Sequence, residues 1–132
     1  MINEELILNT FKNSWVYNRI IKVVYGVEED FDNNFVGNLD LTFKVTLLSS
    51  MEPFKLKIRY HEINDLTIHK ALTFPLTKGL IIRDLKKEGI VSWQEYHVHD
   101  DSGYGENDGF QFIDFYCKAI EVISVKKFYE LD

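Results

Sequence analysis

Leu39, Leu41, Phe43, Val45 and Leu47 alternate with Asp40, Thr42, Lys44 and Thr46, the period-2 signature of a strand with one buried face. After a break at Ser49–Pro53, Phe54, Leu56, Ile58 and Tyr60 alternate with Lys55, Lys57 and Arg59. The two runs predict an antiparallel pair with a shared apolar face. Upstream, Val16–Glu28 is rich in Ile, Val and Tyr, and Asp32-Asn33-Asn34 supplies turn chemistry before the next run. That segment predicts two strands around an acidic loop. Leu6, Ile7 and Phe11 fall at helical spacing within Asn3–Asn13, which predicts one short amphipathic helix.

Beyond Tyr60, Ile63–Ile68 predicts a bend and a short strand, and Thr73–Gly79 a connecting loop. Leu80–Leu85 resumes the sheet, and Lys87-Glu88-Gly89 predicts a hairpin turn into a strand over Ile90–His99. A polar loop of Asp, Gly, Ser and Asn follows, and Phe110–Tyr116 and Ala119–Tyr129 predict the last two strands. The β-branched content of Ile120–Val125 favours strand over helix there. The expectation is a mainly β domain with one short N-terminal helix. Its antiparallel sheet of about eight strands is arranged as a sandwich or a barrel.

At 132 residues, with ten Phe, seven Tyr and two Trp, the chain predicts one domain over residues 1–132 that buries a sufficient core without disulfide or metal. Cys117 is the single cysteine and suits a reducing compartment as a structural thiol. The start Met-Ile-Asn-Glu-Glu-Leu puts acids where a secretory signal carries bases, and no apolar run reaches the ~20 residues that span a bilayer. A cytoplasmic protein without a membrane partner is expected.

The net charge of −6 is unevenly distributed. Residues 28–40 hold Glu28, Glu29, Asp30, Asp32 and Asp40, and residues 95–114 hold Glu95, Asp100, Asp101, Glu106, Asp108 and Asp114, with no Lys or Arg in either stretch. Residues 41–92 carry nine Lys or Arg against five acids. Lys55, Lys57 and Arg59 share one strand face, read as a solvated face rather than a nucleic-acid footprint.

Candidate chemistry is sparse. Glu95, His97 and His99 share a parity, so two imidazoles and a carboxylate in line are the alternative metal site, with His61, His69, Asp100 and Asp101 as further ligands. The competing reading turns Tyr96 and Val98 to the core and leaves Glu95, His97 and His99 in solvent. The loop from Asp100 to Gly109 has calcium-loop composition, but Tyr104 and Gln111 stand where that pattern needs oxygen ligands. No nucleophile elbow, P-loop or dinucleotide fingerprint occurs, so no catalytic residue and no cofactor is assigned. Of the aromatics among the acids, Phe31, Phe35, Trp93, Tyr96, Tyr104 and Phe110, Tyr104 stands between glycines as a binding hot spot.

Leu39–Val45, Phe54–Tyr60 running into Glu62-Ile63-Asn64-Asp65-Leu66-Thr67-Ile68, and Gly79–Asp84 with its Ile81-Ile82-Arg83-Asp84-Leu85 step form an order of strands. Over residues 39–128 this order resembles small bacterial domains of the immunity-protein-50 kind. The resemblance implies a β-rich, non-enzymatic protein that binds and blocks a toxin. The expected partner is a basic toxin domain, met by loops 28–37 and 100–109 through Glu29, Asp30, Asp100, Asp101, Tyr104, Glu106 and Asp108. The alternative is a small metal- or ligand-binding β-domain with hydrolase activity, centred on His97 and His99.

Overall fold

The computed structural model describes residues 1–11, 14–68, 80–100 and 112–130. Among the described residues a short helix α1 (Glu5–Phe11) precedes eight strands: β1 (Trp15–Glu29), β2 (Phe35–Leu47), β3 (Glu52–His61), β4 (Asn64–Ile68), β5 (Ile81–Asp84), β6 (Tyr96–His99), β7 (Ile113–Cys117) and β8 (Ala119–Lys127). They form two antiparallel four-stranded sheets, ordered β1-β2-β3-β8 and β4-β7-β6-β5, in a sandwich-like arrangement. The first is called here the long sheet and the second the short sheet.

The alternation seen in the sequence builds the core directly. Leu39, Leu41, Phe43 and Val45 of β2 face inward with Phe54, Leu56, Ile58 and Tyr60 of β3 and Ile120 and Val122 of β8. From the short sheet they meet Val98, Ile113, Phe115 and Cys117, and the Tyr60 and Phe115 rings pack edge to face at 4.9 Å. Helix α1 adds Ile7 to this core. Before it, Ile2 exchanges backbone hydrogen bonds with β8, donating to Ile120 O at 2.8 Å and accepting from Val122 N–H at 2.9 Å.

The two sheets share a corner. The β3/β8 ladder ends at His61 opposite Ala119, and the chain resumes as the β4/β7 ladder at Asn64 opposite Tyr116. One antiparallel ribbon therefore folds across from one sheet to the other. Glu62 turns the corner at φ 52°, its N–H held by Asn38 Oδ1 at 3.0 Å, and Lys118 N–H donates to His61 O at 3.0 Å. A non-glycine residue at positive φ is costly, and these anchors hold it there.

Two expectations change. Residues 90–95 lie outside any strand, so β6 is confined to Tyr96–His99 and pairs with β5 across a connection longer than a tight hairpin. Gly89, at φ 75°, lets Ile90 N–H return to Leu85 O at 2.9 Å, and this closes a turn of its own. The loop expected over Thr73–Gly79 lies outside the described residues. No described helix is long and apolar enough to cross a membrane.

Candidate functional site

The β1–β2 hairpin carries the most exposed apolar side chains of the long sheet. Its turn is tightly specified: Asp30 Oδ1 accepts the N–H groups of Asp32 and Asn34, both at 2.9 Å, and Asp30 N–H donates to Asn34 O at 2.8 Å. Asn33 sits at φ 63°, a conformation that asparagine tolerates well. The side-chain-to-backbone closure fixes the tip, so Phe31 projects from it fully exposed and Phe35 is 76% exposed. Tyr25 and Val27 on β1 are more than half exposed. The Tyr25 ring lies across Gly37, where a Cβ would come within 2.5 Å of the Tyr25 hydroxyl. A side chain at that position would push the exposed Tyr25 ring aside.

Phe35 shares a shallow hollow with Trp93, which is 70% exposed, and with Glu62 and Lys118 from the corner. The Lys118 ammonium stands 5.7 Å from the Trp93 ring centre. On the adjoining side Glu28, Glu29, Phe31, His61 and Glu62 line a wider depression of about 500 Å³. There His61 Nε2 meets Glu121 Oε1 at 2.8 Å. The tip thus combines protruding aromatics with a rim of carboxylates that Lys118 also lines.

The histidines on β6 lie elsewhere and are not in solvent. His97 and His99 are 5% and 6% exposed, and Val98 between them is fully buried, so both faces of this short strand are covered. This corrects the expectation that the polar side of the strand faces water. His97 Nε2 bonds Asp114 Oδ1, and its ring stacks on Tyr116 at 4.3 Å with 7° between planes. His99 Nδ1 bonds the Asp100 carbonyl at 2.8 Å. Glu95, the third member of the in-line set, pairs instead with Lys86 at 2.9 Å. Among the described residues, no group of three or more His, Cys, Asp or Glu converges as a metal would require.

Asp100, grouped by sequence with the surface acids, is wholly buried. Its Oδ1 accepts the N–H groups of Phe112 at 3.0 Å and Ile113 at 2.9 Å, so this carboxylate links the end of β6 to the start of β7. Glu29 and Asp30 stand at the hairpin tip, Glu29 exposed and Asp30 engaged in the turn. Asp101, Tyr104, Glu106 and Asp108, together with His69, lie outside the described residues. Cys117 is buried, and burial pushes its thiol up to about 12, which suits packing and not nucleophilic attack.

Sequence reasoning noticed Phe31, Phe35 and Trp93 but singled out Tyr104. The available signal was Phe31 between Asp30 and Asp32, inside a turn too short to bury a ring.

Comparison of the chain with family models, with curated proteins and with solved structures finds no match.

Proposed function

We propose that this chain is a non-enzymatic binding domain that grips a basic protein partner through the tip of the β1–β2 hairpin. The observation that carries the reading is the protrusion of Phe31 and Phe35 from a turn fixed by Asp30, beside Glu28, Glu29 and Asp32. Exposed aromatics on a rigid element lose little entropy on binding and supply contact energy, while the acidic side of the tip, Glu28, Glu29 and Asp32, steers an oppositely charged face. The role fits the immunity-like resemblance: a bacterial protein that neutralises a toxin by covering a basic surface. The engagement of His97 with Asp114 and of His99 with the Asp100 carbonyl gives those side chains a packing role, which favours binding over the hydrolase alternative.

The test is affinity capture of the tagged chain from host lysate, with Phe31→Ala/Phe35→Ala and Glu28→Lys/Glu29→Lys variants run alongside. One stoichiometric basic partner is expected. The aromatic variant should lose it and the charge-reversed variant should bind it more slowly, with a weaker salt dependence. Retention of that partner by both variants would remove the hairpin tip as the contact.

A further inference from the structure

β1 is the outermost strand of the long sheet, and among the described residues its ladder partner is β2 alone. At 15 residues it exceeds the ~3–10 residues usual for a strand. An outer edge offers a row of backbone N–H and C=O groups to any other strand, and folded chains blunt it with proline, brevity or bulges. β1 contains no proline. Its two irregularities, between Tyr17 and Arg19 and between Ile20 and Lys22, both precede Lys22, and from Lys22 to Glu29 the ladder with β2 is unbroken. All nine residues from Ile21 to Glu29 are exposed, although neighbours along a strand point to opposite faces. This half of β1 is therefore open on both faces. Ile21, Val23, Val24, Tyr25 and Val27 within it are large apolar side chains, and a regular apolar edge of this kind joins another sheet.

Two details of the strand indicate what it joins. Charge is divided along it, with Arg19 and Lys22 in the first half and Glu28 and Glu29 at the end. Such a strand complements itself when a second copy runs antiparallel, whereas a parallel copy would set like charge against like. Gly26 is the other detail. Its backbone is not left-handed, and a Cβ there would meet nothing within 4 Å. Neither its own conformation nor its surroundings within the chain call for glycine, which weakens the interior of a strand. Glycine in that position often marks the close approach of another backbone.

We propose that the chain forms a two-fold dimer in which β1 pairs antiparallel with β1 of a second copy, joining two four-stranded long sheets into one continuous sheet. Residues directly opposite one another in such a pair lie on the same face, so the axis passes at one residue and pairs those equally distant from it. An axis at Tyr25 keeps the pairing inside the regular stretch. It sets Lys22 opposite Glu28 of the second copy at both ends, Val23 opposite Val27, and Val24 opposite Gly26. An axis at Gly26 would set Val24 against Glu28, and one at Val24 would carry Glu28 across the irregularity between Ile20 and Lys22. The Tyr25 ring leans across Gly37, toward β2 and away from the outer edge, so it leaves the axis clear. Glu28 also lies within the field of Arg59, but the Arg59 fork is committed to Asp40 at 2.8 and 3.0 Å. The pairing from Lys22 to Glu28 extends about 23 Å at the usual rise per residue. Phe31, Asp32 and Phe35 lie beyond it, so the dimer leaves the hairpin tip to the partner proposed above and does not rest on that reading.

The experiment is sedimentation equilibrium of the full chain at an ionic strength of about 0.15 M. The wild type should dimerise reversibly and go no further, because a closed two-fold interface uses up the edge. Lys22→Glu and Glu28→Lys, each checked for fold by circular dichroism, place two like-charge pairs in the interface and should raise the dimer dissociation constant at least about ten-fold. In an equimolar mixture of these two variants every Lys22–Glu28 position is again opposite in charge, so the mixture should associate where neither variant does alone. Phe31→Ala/Phe35→Ala should dimerise as the wild type does, which separates this interface from the partner contact. A monomeric wild type would overturn the proposal and leave the edge for an extended segment of a different protein. A dimer that survives both single charge reversals, or a mixture that fails to associate, would overturn it equally.

Discussion

Asp100 and Ile113 are joined in both directions: Asp100 Oδ1 accepts the Ile113 N–H at 2.9 Å, and Asp100 N–H donates to Ile113 O at 3.2 Å. The same carboxylate oxygen takes the Phe112 N–H, and the Asp100 carbonyl takes His99 Nδ1. One buried residue thus fixes where β6 ends and β7 begins, and with it the register that places His97 against Asp114.

Replacing Asp100 by Ala strands two backbone N–H groups, one of them in the core at Ile113. The expected cost is about 2–4 kcal/mol. Asn keeps an oxygen in the same place, so Asp100→Asn should cost less than about 1 kcal/mol. Urea denaturation with matched slopes would measure both. Equal and negligible losses for the two variants would show that the carboxylate is not holding these strands.

The Asp40–Arg59 pair gives a pH-dependent prediction. Hydrogen bonds from the Arg59 guanidinium hold the Asp40 carboxyl below its ordinary value, against the opposing effect of partial burial. A carboxyl depressed in the folded state stabilises the fold above its unfolded value, about 3.9, and loses that contribution as pH falls through the folded value. Arg59 is about one-third exposed, so solvent screening limits the effect to about 0.5–1 kcal/mol. Asp40→Asn should therefore be less stable than wild type by that amount at neutral pH, and the gap should close in strong acid. A gap that stayed constant from neutral to acid pH would assign the loss to packing instead of charge.

Much of the fold was legible because a half-buried strand writes its period into the sequence. Leu39–Leu47 and Phe54–Tyr60 alternate without exception, and they became the paired β2 and β3. Ile90, Val91 and Trp93 carry strand-like residues yet lie in a connection, where Val91 and Trp93 are exposed. Propensity there is overridden because the β5–β6 pairing leaves them no partner strand. The burial of His97 and His99 was illegible for a related reason: polarity predicts an outward face only where one side of a strand meets water. Glu29 and Asp30 fell on the proposed contact tip because acids and turn residues coincide in sequence there. The cross-strand row of Arg19, Lys44, Lys55 and Lys126 on the long sheet could not be read at all. Lys44 and Lys55 become neighbours only through the β2–β3 register, and Lys126 joins them only after the irregularity at Ile123.

The cross-strand row of Arg19, Lys44, Lys55 and Lys126 on the long sheet yields a stability prediction. Lys55 has a lysine directly opposite on each side, Lys44 and Lys126, and donates a hydrogen bond to the Glu130 carbonyl. Lys55→Thr removes two like-charge contacts and substitutes a β-branched residue suited to a strand, so the protein should gain about 0.5 kcal/mol at low salt. Screening weakens the repulsion in the wild type, so the gain should shrink toward the propensity difference alone near 1 M salt, where the Debye length is about 3 Å. Thermal unfolding at both salt concentrations measures this directly. A loss of stability at low salt would mean that the lysine stem packs on the sheet more than its charge repels. In that case the row would be a solvated face held by its alkyl chains.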